Sequence, residues 1–418
     1  MSKPAVTADK YAPALLVKIG QYPLHSGGLA AIRTLGRLGV PVYAITEDRL
    51  TPAAVSRYCA GRLVWRVTGH EEPGYLAGRL REVGKRLGRR AVVVPVDDEA
   101  AVLVAEYAAE LSEHFIFPRI EPGLPRALAS KQRLYELCRR HDVPAPASAC
   151  PATHSELAEF AATATFPVVV KNAEPWVRRR APVVSHTTVI RTARELLAVA
   201  PSGHGEAPGM IVQEYIPRDR AEDWIVHLYC DASSRSLVTF TGVKVRSWPP
   251  HNGTTACAYA QANPGLAQLA ERLCRQIGFR GIADLDWRLD LRDGQYKLVD
   301  FNPRVGNQFR LFETEQGIDV VRALYLDLTG RTVPPGIARG GRRIVIEHID
   351  LLARVAYRGG SGYSAVPPPP PRTAATELAW LARDDPLPFL AMWPRLAKPL
   401  ADAHRGRARR QRGADVAP

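Results

Sequence analysis

Carboxylate and amide side chains recur at a spacing of two residues in two neighbouring segments of the chain. Asp300 and Asn302 lie two apart in one predicted strand, and Asp284 and Asp286 do so in the predicted strand before it. Because strand side chains return to the same face every second residue, pairing the strands brings Asp286 and Asp300 together. Two such carboxylates repel unless a cation or proton lies between them, and these oxygen ligands suit Mg²⁺ carried by a nucleotide. The alternative, an exposed charged hairpin, leaves the Asn-Pro-Arg sequence at 302–304 unexplained, so we predict a metal site here.

Lysine is scarce in this chain, which makes the position of each lysine informative. Of the 56 basic residues only nine are lysine, and the other 47 are arginine. Lys171 ends an apolar run, where its charge is costly unless an anion lies nearby. Lys131 opens a predicted helix, where its charge opposes the helix dipole, and Lys244 lies two residues before Arg246 on a predicted strand. Each lysine alone would be a surface residue, but together they predict phosphate binding.

The first part of the chain alternates predicted strands and helices, which favours a parallel sheet. Strands are predicted at 14–19, 40–45 and 91–96, with a helix at 29–38. The turn at 26–28 would suit a phosphate at a helix N-terminus, but it lacks the G-x-G-x-x-G pattern of dinucleotide-binding folds. The acidic turn at 97–99 would attract an ammonium group or, as readily, cap a helix.

The second part combines a predicted helix at 131–141, capped by Ser130, with strands and hairpins. The predicted strands are 166–171, 209–216, 224–230, 236–245, 281–291 and 296–301, with a helix at 266–277.

The order of these motifs resembles the ATP-grasp superfamily of carboxylate–amine ligases. The motifs are Ser130-Lys131, Val170-Lys171, Gln213–Ile216, Asp286 and Asp300–Arg304. The segment 241–250 followed by 253–255 is similar to the D-aspartate-ligase-like branch, and the resemblance covers about residues 12–330.

The resemblance implies an α/β fold, α+β in the nucleotide part, in which an ATP-grasp unit follows an amino-terminal Rossmann-like parallel-sheet domain. We expect four units: a Rossmann-like domain at 1–120, a small lid-bearing ATP-grasp subdomain at 121–208, a large subdomain with the metal site at 209–332, and a Pro-rich linker with a basic extension at 333–418.

The resemblance also implies roles at matching positions. ATP would be bound by Lys131, Lys171, Gln213, Glu214, Tyr215, Ile216, Asp223 and Arg178, with main-chain hydrogen bonds to adenine from Glu214 and Ile216. Asp286, Asp300 and Asn302 would hold Mg²⁺, with Mn²⁺ as an alternative ion. Lys244, Arg246 and Arg304 would be catalytic, gripping the γ-phosphate, an acyl phosphate or a substrate carboxylate.

The predicted lid departs from the family pattern. Many members carry a glycine-rich loop after the second lysine, whereas 172–180 here has no glycine and three arginines, 178–180. We expect these arginines to clamp phosphates by charge. The alternatives are that they face solvent or that the loop does not close normally.

The predicted function is ATP-dependent ligation of a small carboxylic acid to an amine, through an acyl phosphate. The alternatives are a phosphoryl-transfer variant of the same fold and a nucleotide-binding regulatory module without catalytic activity. The expected partners are the small carboxylate and amine substrates, and a homodimer is left open.

Overall charge and cysteine content place few further limits on function. A net charge of +14 would suit a nucleic-acid partner. However, more than half of the surplus of basic over acidic residues lies after residue 330, and aromatic residues make up only 7%. We therefore expect no nucleic acid. Six scattered cysteines, no signal peptide and no transmembrane span predict a cytoplasmic protein.

For 387–412, which combines an apolar segment and a basic tail, we expect a docked helix with a solvated tail. The alternative is a weak peripheral contact with a membrane or an acidic partner.

Overall fold

The computed structural model describes residues 12–173, 184, 187–199, 209–250, 253–358 and 375–396, whose strands form three sheets. The first sheet is parallel, in the order β3-β2-β1-β4-β5. Its strands are β1 (Ala14–Val17), β2 (Val42–Thr46), β3 (Cys59–Val64), β4 (Ala91–Pro95) and β5 (Phe115–Ile116). The accompanying helices are α1 (Ser26–Gly36), α2 (Pro73–Leu87), α3 (Asp98–Glu106) and α4 (Ala108–Leu111).

Two helices lead from the parallel sheet into a four-stranded antiparallel sheet, here called the small sheet. These helices are α5 (Leu124–Ala129) and α6 (Lys131–Arg140). The following elements are β6 (Ser148–Ala149), α7 (His154–Thr163), β7 (Val168–Asn172), β8 (Thr188–Ile190), α8 (Ala193–Val199) and β9 (Met210–Glu214). The strand order is β6-β9-β7-β8. β9 therefore belongs to the small sheet, whereas the sequence analysis grouped it with the strands that follow.

The third sheet, here called the large sheet, has seven strands in the order β14-β13-β10-β11-β12-β15-β16. Its elements are β10 (Ala221–Cys230), β11 (Ser236–Trp248), β12 (Thr254–Ala260), α9 (Pro264–Gln276), β13 (Gly281–Asp290), β14 (Gln295–Asn302), α10 (Val320–Leu328), β15 (Arg342–Val345), α11 (Glu347–Arg358) and β16 (Ala375–Leu378). A last helix, α12, covers 387–396. The hairpin predicted from 281 to 301 is thus present as β13 and β14.

Alternate residues of β1 face two different cores, as expected for a parallel strand covered on both sides. Leu15 and Val17 pack in a cluster with residues of α2 and α3. Ala14 and Leu16 pack in a cluster that also contains residues of α1, α10 and β10. The parallel sheet and the large sheet therefore share one continuous apolar core, which fixes the ends of their strands near each other.

The carboxy-terminal part contributes more structure than a linker and an extension. β15 and β16 add to the edge of the large sheet, where Ile344 is buried. The buried guanidinium of Arg33 on α1 pairs with Asp385 at 2.9 Å and donates to the Trp380 carbonyl at 2.8 Å. The docked helix expected within 387–412 is present as α12, whose Met392 is buried, whereas the contact of Arg33 with Asp385 was not predicted. The proline run 367–371 and the basic tail 404–412 lie outside the described residues.

None of the described helices is both long enough and apolar enough to cross a membrane.

Candidate active site

A cleft lies between the small sheet and the large sheet, with one wall formed by each. Nine residues predicted from the sequence line it: Lys131, Lys171, Gln213, Glu214, Ile216, Asp223, Lys244, Asp286 and Asp300. They come from α6, β7, β9, the segment after β9, β10, β11, β13 and β14. Residues up to 169 positions apart in the chain thus meet in one place.

The floor of the cleft is the β13–β14 hairpin. Its antiparallel register places Asp286 opposite Asp300 and Asp284 opposite Asn302. The two strands are joined by a turn that Gly294 closes with a positive φ of 72°, a conformation that favours glycine. The proximity of Asp286 and Asp300 predicted from the alternation of side chains is therefore present.

Each of these two carboxylates is paired with a lysine from another element. The Lys244 ammonium lies 2.7 Å from Asp286 Oδ1, and the Lys131 ammonium donates to Asp300 Oδ1. Burial raises the pKa of Asp286, and the charge of Lys244 offsets this only in part. Burial alone would also raise the pKa of Asp300. The charge and hydrogen bond of the neighbouring Lys131 outweigh this effect and hold the pKa of that carboxyl below its usual range.

Lys131 is held in place at both its backbone and its side chain. Ser130 caps α6, with its hydroxyl accepting from the Arg133 N–H. The Lys131 N–H donates to the Ala173 carbonyl at 3.0 Å, just beyond the end of β7. This contact ties the start of α6 to the wall of the cleft that carries Lys171.

Lys171 differs from the other two lysines of the cleft. Among the described residues, no carboxylate lies within 4 Å of its ammonium group, the limit for an ion pair. Burial, followed by repulsion from the charge of Lys131, lowers the pKa of Lys171 to about 8. A partly buried cation without a carboxylate partner among the described residues is a position where an anionic ligand would be stabilising.

Asp286 and Asp300 fit a divalent cation. They offer hard oxygen ligands at the cleft surface, with side chains 28% and 29% exposed, and among the described residues each forms an ion pair with a lysine ammonium. In the part of the chain that the structure describes, no group of three or more His, Cys, Asp or Glu side chains has the arrangement of a metal site. A divalent cation would therefore need additional ligands, which nucleotide phosphates would supply.

Asn302 is not among the residues that line the cleft, although it lies two residues after Asp300 on β14. Its amide donates to the Asp284 carbonyl at 3.1 Å, and its Oδ1 accepts from Arg304 at 2.9 Å. The structure therefore groups Asn302 with Arg304 rather than with the Asp286–Asp300 pair.

The far end of the cleft has main-chain groups suited to a planar base. The Glu214 N–H donates to the Ala147 carbonyl, whereas no hydrogen bond between described residues uses the Ile216 N–H or carbonyl. The apolar side chains of Val169 and Ile216 flank this position. The predicted role of Ile216 therefore stays a prediction that its unused main-chain groups permit, whereas the Glu214 N–H is already used.

The carboxylates and amide at this end are engaged with neighbouring strands. Glu214 accepts from Arg292 at the β13–β14 turn, and Gln213 donates to Ser148 Oγ at 2.9 Å. Asp223 pairs with Arg288 at 2.7 Å. Sequence reasoning missed Arg288, although its position two residues after Asp286 on a predicted strand was a usable signal.

A second polar cluster, the Arg304 network, lies beside the cleft on the same hairpin. Arg304 donates to Asp284 at 3.1 Å and lies 3.4 Å from Asp98 on α3. His227 Nε2 is 3.1 Å from Asp284 Oδ1, and its side chain is fully buried. Although burial raises the pKa of Asp284, His227 and Arg304 outweigh it and hold that pKa below its usual range. Arg304 thus links the parallel sheet to the hairpin.

Two other predicted site residues are not among the described residues that line the cleft, and a third lies outside the described part of the chain. Arg246 pairs with Asp350 on α11 at 2.7 Å, because the β11–β12 register shifts on both sides of it. Tyr215, between two lining residues, does not line the cleft. Arg178 and the rest of 174–180 lie outside the described residues.

The two turns of the parallel sheet are used by the protein itself. Asp97 caps α3 and accepts from the N–H groups of Ile19 and Gly20 at 2.8 and 2.7 Å. At the start of α1, the Gly27 N–H donates to Asn307 Oδ1 at 3.2 Å. Of the two interpretations of the acidic turn, Asp97 therefore follows the second, in which the turn caps a helix.

Comparisons with known proteins agree with this geometry. No protein-family model matches the chain. A D-aspartate ligase from Enterococcus faecium (strain Aus0004) is 25% identical over 294 residues, which cover 67% of this chain and 68% of that protein. The crystal structure of an L-amino acid ligase from Bacillus licheniformis superposes with a TM-score of 0.59 at 16% identity, over 81% of this chain and 79% of that one.

A third similar protein was crystallised with nucleotide. It is the biotin carboxylase domain dimer of the Hydrogenobacter thermophilus 2-oxoglutarate carboxylase, in complex with MgADP, ADP and bicarbonate. Its TM-score is 0.57 at 15% identity, over 79% of this chain and 73% of that one. The chain thus has the ATP-grasp fold, and its sequence is similar to that of a carboxylate–amine ligase of this fold.

Proposed function

We propose that this protein is an ATP-dependent ligase that activates a small carboxylic acid as an acyl phosphate and joins it to an amine, releasing ADP and phosphate. The observation that carries this proposal is the cross-strand pair Asp286–Asp300, which faces three lysines in one cleft. Carboxylates that bind a cation and lysines that bind phosphates are both needed to hold a nucleoside triphosphate.

In this proposal the adenine lies near Ile216 and the phosphates lie between Lys131 and Lys171. The unused main-chain groups of Ile216 would bond the base, and Asp223 with its partner Arg288 would face the ribose. The ammonium of Lys171 gains the anionic partner that the described residues do not provide.

Asp286 and Asp300 would hold the Mg²⁺ that accompanies the nucleotide. The ion supplies positive charge that offsets the charge of the phosphates during transfer. We expect Mn²⁺ to replace it, because the same carboxylate oxygens suit both ions. Asn302 would act indirectly, by orienting Arg304.

The reaction follows from the position of these groups. A carboxylate oxygen of the substrate attacks the γ-phosphorus in line, and the bond from that phosphorus to the ADP oxygen breaks. Lys244 is placed to neutralise negative charge on the transferring group. The amine then attacks the acyl carbon and phosphate leaves, so an amide forms and one proton is released.

Arg304 is the group we assign to the carboxylate substrate. Its planar guanidinium suits a carboxylate, and its contacts to Asp98, Asp284 and Asn302 fix its orientation. Arg246 is held by Asp350, so we assign it no contact with either substrate.

D-Aspartate is the first carboxylate to test, since the Enterococcus relative is named a D-aspartate ligase. The experiment measures ADP release by the purified chain with D-aspartate, other amino acids and small acids, each with and without a panel of amines. We expect full turnover only with both substrates. ADP release that never depends on an amine would indicate the phosphoryl-transfer variant, and ATP binding without ADP release from any acid would indicate the regulatory module.

A further inference from the structure

Helix α12, at 387–396, is apolar on both of its faces. Pro388 and Met392 are buried against the body of the protein. The opposite face exposes Leu387, Leu390 and Trp393, which are 56%, 60% and 45% accessible. A surface helix of a soluble protein normally carries polar residues on its outer face. Three large apolar side chains on one exposed stripe instead indicate a contact surface.

A groove lined by arginines includes one residue of the same helix. Arg395, on the same helix, pairs with Asp48 at 2.5 Å and forms part of the groove wall. The other basic residues of the groove are Arg49, Arg62, Arg66 and Arg79. Among the residues that the structure describes, none of these four has a carboxylate within 4 Å. One aspartate against five guanidinium groups leaves the groove strongly cationic.

Two of these arginines, Arg62 and Arg66, are positioned by an edge strand. β3 forms one edge of the parallel sheet, and its side chains alternate between the two faces. Arg62, Val64 and the following Arg66 therefore lie on one side. Arg79 stacks on the Trp65 ring at 4.3 Å, which holds its guanidinium in place. Leu50, 68% exposed, adds an apolar side chain to the same groove.

The sequence beyond α12 continues the basic character. Between 397 and 412 it contains six basic residues and one acidic residue. Helix α12 thus carries the apolar stripe and one wall residue of the cationic groove, and the sequence that follows it is basic.

We propose that α12 and the arginine groove form a docking surface for a membrane that contains anionic phospholipids. Apolar side chains would enter the boundary between headgroups and acyl chains, while the unpaired guanidinium groups bind the lipid phosphates. A nucleic acid would use the arginines but not the apolar stripe, and a second copy of this chain would carry the same positive charge. An anionic bilayer matches both features together.

Vesicle sedimentation tests this proposal with the full chain. Binding is measured to sucrose-loaded vesicles of phosphatidylcholine alone and to vesicles with about one third phosphatidylglycerol, at low and high salt. We expect binding only to the anionic vesicles, weakening as salt screens the arginines. We expect two double variants, Leu390→Ser/Trp393→Ser and Arg62→Glu/Arg66→Glu, to bind the anionic vesicles more weakly than the parent chain. The loss of affinity should be about ten-fold or greater for each.

Matched variants elsewhere on the surface separate this contact from general effects. Ile337→Ser removes an apolar side chain that is 73% exposed, and Arg272→Glu/Arg275→Glu reverses two exposed charges on α9. Both are expected to bind as the parent chain does. Thermal unfolding and ATP binding of every variant check that the fold and the cleft are retained.

Three results would overturn the proposal. The first is no binding of the parent chain to anionic vesicles at low salt. The second is a dimer in solution that Leu390→Ser/Trp393→Ser converts to a monomer, which would make the stripe an interface between copies. The third is vesicle binding that the arginine variant abolishes and the apolar variant leaves unchanged, as a site for a soluble polyanion would behave.

Discussion

The two walls of the cleft differ in how their charges are balanced. On the large-sheet wall, Asp286 and Asp300 are each paired with a lysine, so the charges are neutralised without any ligand. On the small-sheet wall, Lys171 has no carboxylate partner among the described residues, and its pKa falls to about 8. The first wall is preformed, whereas the second holds a positive charge that no carboxylate of the described residues neutralises. This difference separates residues that organise the cleft from the residue that we propose attracts the phosphates.

The largest expected effect comes from the large-sheet wall. Asp300→Asn keeps the size of the side chain but removes one of the two charges available to a cation. We expect ligase activity to fall about a thousand-fold, because this carboxylate would hold the ion that offsets the charge of the transferring phosphoryl group. The measurement is ADP release in the presence of both substrates. Asp293→Asn, at the turn of the same hairpin, serves as the control and should retain activity, and an active Asp300→Asn enzyme would refute the metal assignment.

The small-sheet wall predicts a variant whose binding and stability change in opposite directions. Lys171→Met should weaken ATP binding about a hundred-fold, yet make the ligand-free chain about 1 kcal/mol more stable, because it removes a partly buried charge that no carboxylate of the described residues neutralises. Lys131→Met should instead lose about 1 kcal/mol of stability, because it leaves Asp300 without its partner. Urea unfolding and ATP titration measure the two quantities. Equal losses of stability in both variants would show that the walls do not differ as described.

The same contrast predicts a pH dependence. Lys171 loses its proton as the pH rises through about 8, so ATP affinity should fall between pH 7 and 9. Lys171→Arg stays charged and should flatten this profile. In the ligand-free chain, rising pH should instead increase the free energy of unfolding. Between about pH 8 and 10.5 this lysine binds more protons in the unfolded state, where its pKa is the ordinary 10.5, than in the folded state. It therefore makes stability rise with pH up to about 10.5. A profile that Lys171→Arg leaves unchanged would assign the titration to another group.

The smallest effect is expected outside both walls. Arg246→Gln should change ligase activity by about two-fold or less, because Arg246 faces Asp350 and not the cleft. It should lower stability by about 1 kcal/mol, since Asp350 is buried and keeps only Arg354 as a partner. Steady-state kinetics with both substrates measures the first quantity. A hundred-fold loss of activity would show that Arg246 takes part in the reaction.

The parts of the site that the sequence could predict are those set by local periodicity. The two-residue alternation of strand side chains was sufficient to pair Asp286 with Asp300, because the hairpin that joins them is short. The same rule placed Arg246 beside Lys244, and it failed there because the register of β11 shifts between them. A bulge depends on the neighbouring strand and leaves no local signal.

Long-range contacts were also outside the reach of sequence reasoning. The alternation of strands and helices predicted the parallel sheet, since β1 and β4 are buried apolar runs. A docked helix was expected after residue 387, but its anchoring contact joins Arg33 to Asp385, more than 350 residues away, and no local pattern specifies that pair. The network of His227, Asp284 and Arg304 likewise depends on three strands lying side by side, which single segments do not specify.

The central claim is that a substrate carboxylate is activated as an acyl phosphate, and hydroxylamine tests it directly. The purified chain is incubated with ATP, Mg²⁺, hydroxylamine and each acid of a panel that begins with D-aspartate. We predict that one acid yields its hydroxamate in equal amount to ADP, and that Asp300→Asn yields neither. ADP that accumulates with an acid but without any hydroxamate would contradict the acyl-phosphate mechanism.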